Sequence, residues 1–142
     1  MSTRRNGRAY ALQLLYARDG DPGTDVSGAV AAWSSDMGLE VEPDAQAFAA
    51  KLVAAASEHA GKLDELIAAS SKNWRIDRMS RVDRNILRLG ACELLAFADV
   101  PVKVVINEAV ELAKRFGTAE SSAFVNGVLD RIASAVGRSP ES

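Results

Sequence analysis

Cysteine, histidine and proline are scarce in this 142-residue chain, which holds one Cys, one His and four Pro. A single thiol, Cys92, excludes an internal disulfide framework. With His59 as the sole imidazole there are too few soft ligands for a structural zinc site, so no metal and no cofactor is expected. The shortage of proline and of aromatic residues (6%) argues against a disordered or all-β chain. No segment approaches the roughly 20 uninterrupted apolar residues that cross a bilayer. The arginine-rich start leads into no signal-peptide core, so a cytoplasmic protein without membrane association is expected. Catalytic pairings are missing too. His59 falls in an Ala-rich stretch, Cys92 in an apolar one, and no Gly-rich loop joins a strand to a helix. Glu108 and Glu111, three apart, serve solvation or ion pairing with Lys114 and Arg115 as well as they would serve chemistry. The chain is expected not to be an enzyme.

What the chain does have is charge sorted along its length. The net charge is −2, which would ordinarily speak against a nucleic-acid partner. Yet residues 1–18 carry Arg4, Arg5, Arg8 and Arg18 with no acid, and residues 72–98 carry six bases against Asp77, Asp83 and Glu93. From Asp19 to Glu65 the only bases are Lys51 and Lys62 against ten acids. A chain sorted this way can turn a basic face to phosphate while remaining slightly acidic overall.

Apolar spacing is helical nearly throughout, which predicts an all-α domain. A first helix is expected over about 4–18, with Leu12, Leu15 and Tyr16 inward, ended by Asp19-Gly20-Asp21-Pro22-Gly23. A second, over about 25–37, carries Val26, Val30 and Trp33 and stops at Gly38. From Asp44 the series Phe48, Leu52, Ala55, Leu63, Leu66 and Ile67 runs to about Ser70, as one helix or as two broken at Gly61. Ser80 and Asp83 have capping-box form and open the clearest helix, marked by Val82, Ile86, Leu89, Glu93 and Phe97. After Asp99-Val100-Pro101, helices over about 102–116 and 118–136 follow, with Gly117 as the stop and Thr118 as the cap between them. One domain over 1–137 and a mobile tail over 138–142 are expected.

Two features could grip nucleic acid. If the first helix begins at Arg4, a step of about 100° per residue puts Arg4, Arg5 and Arg8 within an arc of about 100°. Clustered guanidinium groups can take phosphates or stack on bases, and gain from counterion release. The plain alternative is a solvated basic terminus, which Gly7 favours by weakening the helix by about 1 kcal/mol relative to Ala. On the last helix, Val125, Val128, Leu129, Ile132 and Val136 define the apolar face, and Phe124 lies about a quarter-turn from its centre. Phe124 is either a boundary aromatic packed on a neighbouring helix or, beside Lys114 and Arg115, a stacking platform for single-stranded nucleic acid.

Taken together, these residues resemble the NusB family of bacterial antitermination factors over nearly the whole chain. The resemblance is carried by Asn73-Trp74-Arg75, the run from Asp83 to Leu89, Glu93-Leu94, Val100-Pro101, the run from Ile106 to Lys114, Phe116-Gly117 and the run from Phe124 to Asp130. The block from Arg8 to Tyr16 is similar to the family's arginine-rich first helix. The resemblance implies a NusB-like fold of about seven helices in two packed bundles, about 1–72 and 73–137. It implies RNA binding at a single-stranded boxA element through Arg4, Arg5, Arg8 and Phe124, with Lys114 and Glu120 nearby. It further implies a heterodimer with NusE, a small-subunit ribosomal protein, faced by Tyr16, Asp77 and Asp83. Through that pair the chain would serve the transcribing RNA polymerase complex indirectly, at ribosomal-RNA operons above all. Three departures lower the expected affinity for RNA alone: Asn6 where the family often has arginine, Gly7 in the same turn, and Ser122-Ala123 without the basic residue often found there. Fewer phosphate contacts make the partner protein more important. Whether the chain is a monomer or a homodimer is left open. The rivals are a purely protein-binding helical adaptor and the RNA-positioning module of ribosomal-RNA methyltransferases, for whose catalytic domain a chain ending at Ser142 leaves no room. A helix-turn-helix DNA binder is a weaker third, since no short turn precedes an exposed basic helix.

Overall fold

The computed structural model describes residues 3–20, 42–71 and 74–138, and every regular element among them is helical. The elements are α1 (Thr3–Gly20), α2 (Pro43–Glu58), α3 (Ala60–Ser70), a 3-10 turn (Ile76–Arg78), α4 (Arg81–Ala96), α5 (Val102–Phe116) and α6 (Ser121–Ala135). The expected all-α class is therefore what is found. The segment predicted as a helix over about 25–37 lies outside the described residues. The chain divides into two compact units, residues 1–54 and 55–142, a division that falls inside α2. No described helix is long and apolar enough to cross a membrane.

In the first unit α1 buries a continuous run from Ala9 to Leu12 together with Leu14 and Leu15. Tyr10 is the inward tyrosine: burial, then the negative charge of Glu42, raises its hydroxyl pKa. Tyr16, expected inward from its spacing, is instead 37% exposed, because an amphipathic ring in the last turns of a helix can leave its polar tip in water. Gly7 does not loosen the helix, which is continuous through it. A Cβ at Gly7 would stand 2.7 Å from Phe48 Cδ2 and 3.1 Å from the Ala45 carbonyl oxygen, so glycine is required where α1 and α2 make their close approach.

The series from Asp44 to Ser70 resolves into two helices, and the break is at His59, two residues before the expected Gly61. His59 sits at φ −104°, ψ 14°, while a side chain at Gly61 would meet open space. In the second unit α4 contacts α3, α5 and α6, and α6 contacts α3 and α5. Ile86, Leu87, Leu89, Ala91, Cys92 and Leu94 of α4 are at most 2% exposed, as are Val125, Val128, Leu129 and Ile132 of α6. Each large side chain so buried stabilises the fold by about 1.5–3 kcal/mol. Arg88 grips both carboxylate oxygens of Asp64, Nε to Oδ1 at 2.9 Å and Nη2 to Oδ2 at 3.2 Å, joining α4 to α3. Arg131 Nε donates to the Ser70 carbonyl, which satisfies an acceptor left open at the end of α3. α6 closes in a Schellman turn: Gly137 has φ 77°, its N–H donates to the Ser134 carbonyl, and the Arg138 N–H reaches back to Ala133. Arg138, expected as the first residue of the mobile tail, donates to the carbonyls of Leu94, Ala98 and Val100.

Cys92 is fully buried in α4. Burial, and secondarily the charge of Glu93, pushes its thiol up from 9.0 to about 12. The fold disfavours the thiolate, so this contribution to stability is complete below the ordinary thiol pKa and is lost as pH rises toward 12. Iodoacetamide at pH 8 is expected to alkylate the native protein at least about a hundred-fold more slowly than the denatured chain, followed by mass spectrometry. Equal rates would mean that Cys92 opens to solvent.

Candidate nucleic-acid interface

The corner between α5 and α6 fixes one concave site among the described residues. α5 stops at Gly117, whose backbone is extended (φ −99°, ψ −163°), so glycine is not needed there for its dihedrals. It is needed for room: a Cβ would lie 2.5 Å from Ser121 Oγ and 2.8 Å from the Ala113 carbonyl oxygen. The buried Ser121 hydroxyl accepts from the Thr118 N–H at 3.0 Å, and Thr118 Oγ1 donates to Glu120 Oε2 at 3.2 Å. Thr118, expected to cap the last helix, thus acts through its own backbone and hydroxyl, and Glu120 holds the capping position. This arrangement sets the register that puts Phe124 one turn into α6.

Phe124 is half-buried and lines a cavity of about 280 Å³ with Trp74, Met79, Asp83 and Glu120. Its ring meets Trp74 edge to face, with centroids 6.2 Å apart and planes at 71°. Trp74 is 56% exposed. The Asp83 N–H donates to Ser80 Oγ at 3.0 Å, the expected half of the capping box. The reciprocal half is not completed by Asp83 Oδ1, which is buried with no hydrogen-bond partner among the described residues. Aspartate is one methylene shorter than the usual glutamate, which keeps it from completing the reciprocal bond to the Ser80 N–H. An unsatisfied buried acceptor costs about 1–3 kcal/mol until a donor reaches it. The site therefore offers an aromatic corner to a flat or cationic group and carboxylates to its N–H donors. Phosphate is repelled from the cavity itself.

In the first unit Arg4 and Arg8 lie over the ring of Phe48, with Cζ 5.3 and 5.4 Å from its centroid. Arg4 and Arg5 are exposed, as the arc on the first helix predicts. Arg8 is only 4% exposed, so it supports the cluster more than it reaches outward. Of the other expected residues, Asp77 is exposed and pairs with Arg75 at 3.2 Å. Lys114 is exposed and pairs with Glu111 at 3.5 Å, and is not among the residues described as lining the cavity. Asp83, Glu120 and Phe124 do come together there. Trp74, Met79 and Phe48 were not singled out as functional from sequence. Trp74 carried one available signal, a large aromatic between helices with no apolar face to join; Met79 and Phe48 carried none.

This chain matches the NusB family over residues 5–134. It belongs to that family. Among its relatives, the transcription antitermination protein NusB of Myxococcus xanthus is 50% identical, covering 97% of this chain and 99% of the relative. The protein of the same name from Sorangium cellulosum is 46% identical, over 97% and 96%. T. maritima NusB has a similar structure, with a TM-score of 0.81, 34% identity, and coverage of 97% of this chain and 94% of that one. A chain from the crystal structure of antitermination factors NusB and NusE in complex with dsRNA gives a TM-score of 0.82 at 31% identity, over 95% and 98%. The helical fold implied by the resemblance is thus the fold of solved NusB proteins, and membership places the chain among transcription antitermination factors.

Proposed function

We propose that this NusB-family chain binds a boxA-type single-stranded RNA together with NusE and so supports processive transcription, chiefly of ribosomal-RNA operons. The observation that carries the reading is the cavity at the α5–α6 corner, where half-buried Phe124 and exposed Trp74 meet beside Glu120. Unpaired bases are recognised by stacking on such rings and by hydrogen bonds to their edges, which paired bases do not offer. Phe124 stacks a base, Glu120 accepts from its edge, and Lys114 at the end of α5 adds positive charge. Arg4 and Arg5 take phosphates, with Arg8 behind them. Tyr16, Asp77 and Asp83 form the NusE contact, and polymerase is reached through the assembled pair. The solved relative with NusE and dsRNA supports both partners as classes, and the preference for unpaired RNA rests on the aromatic corner. No bond is made or broken, so the chain acts by holding, in the cytoplasm where transcription runs.

Titration of labelled boxA-like RNA, scrambled RNA and a duplex control at several salt concentrations, with and without NusE, tests this. Expected is preference for unpaired boxA, binding that strengthens with NusE, and a log-linear fall with salt. Tight binding by the lone chain would overturn the dependence on NusE. Capture of NusE with no RNA retained would instead leave a protein-binding adaptor.

A further inference from the structure

We propose that Arg115 is a further RNA-contacting residue, taking a backbone phosphate of the strand whose base enters the α5–α6 corner, an inference that rests on the RNA-binding reading above. The corner sets a charge problem. Asp83 and Glu120 line the cavity, so the sugar-phosphate chain of a strand seated there has to run outside it, where its charge is best met by a cation. The last turn of α5 holds two, Lys114 and Arg115, both exposed. Lys114 is engaged by Glu111 at 3.5 Å. Glu111 also stands four residues before Arg115, the spacing and order that favour a helical ion pair, yet the pairing falls to Lys114. Arg115 lies instead over the ring of half-buried Phe116, with Cζ 4.9 Å from the centroid, and has no carboxylate partner among the described residues. A guanidinium held through its π face keeps its in-plane N–H fork for phosphate oxygens. A long side chain already ordered against a ring also loses less freedom when it binds. A cation that merely offsets the dipole at the end of α5 needs charge alone, and lysine would serve it as well.

In complex with NusE, Arg115→Ala is expected to raise the Kd for boxA-like RNA about five-fold and to make the slope of log affinity against log salt shallower by about 0.7, the value of one single-strand phosphate contact. The same fold-loss is expected on scrambled RNA, because a phosphate carries no sequence information. Arg115→Lys should recover the salt slope but only part of the affinity, since a point charge replaces the planar fork. Lys103→Ala makes the same change in net charge in the first turn of α5, about 18 Å away and beyond the screening length of about 8 Å at physiological salt. It should leave RNA affinity within about two-fold of the unaltered chain. NusE affinity and thermal melting should be unchanged in all three variants. Unchanged affinity and slope in Arg115→Ala, an equal change in Lys103→Ala, or a loss of NusE affinity in Arg115→Ala would overturn the phosphate contact while leaving the functional reading standing. Absence of RNA binding by the unaltered chain with NusE would bring down the functional reading and this inference together.

Discussion

Replacing Phe124 by alanine is expected to weaken boxA-type RNA binding by between about five-fold and a hundred-fold, because stacking is worth roughly 1–3 kcal/mol per base. The comparison that isolates stacking is Phe124→Tyr, which keeps the ring and should bind nearly as the unaltered chain does. Some of the alanine effect could come from the edge-to-face contact with Trp74, a pair worth about 0.5–1.5 kcal/mol beyond its buried area. Trp74→Ala separates the two: it removes that contact and leaves the Phe124 ring for the base. The measurements are RNA affinity with NusE present and thermal melting of each variant. RNA affinity unmoved by Phe124→Ala would remove the ring from the interface and return it to the role of a boundary packing residue.

The largest expected effect on stability lies where α4 crosses α6. A Cβ on Gly90 would stand 2.8 and 2.9 Å from the Leu129 methyl carbons, and Leu129 is fully buried, so those methyls cannot move aside into solvent. Gly90→Ala is therefore expected to cost about 1–3 kcal/mol by overpacking, even though alanine is the better helix former. Leu129→Ala is expected to cost about 2–5 kcal/mol by leaving a cavity. The two errors relieve one another, since the new methyl projects into the space the leucine vacates. The double variant should thus lose clearly less than the sum of the single losses, measured by urea denaturation. Strict additivity would mean that the two side chains do not compete for one space.

The amphipathic series were legible because burial of one helix face imposes a 3.6-residue period that the sequence must carry. α4, with Ser80 at its start, and α6, with Val125, Val128, Leu129 and Ile132 inward, lie close to where that period put them. Tyr16 was misplaced because periodicity says which side a residue is on, not whether a polar tip can reach water. The break at His59 instead of Gly61 has the same origin: glycine permits a bend, while neighbouring contacts choose where it falls. Gly7 and Gly117 looked like a weak point and a simple stop, and their reason appeared only with Phe48 and Ser121 in place against them.

By itself the sequence determined the helical class, the single buried thiol, the basic start of α1 and the family, since all of these are properties of residue type and order along the chain. Only the tertiary structure decided that Phe124 meets Trp74 beside an unsatisfied Asp83 oxygen, and that Arg4 and Arg8 share one ring. Those are distances between residues 50 and 40 or more positions apart, and packing sets them through the summed shape of many side chains, which no local pattern records.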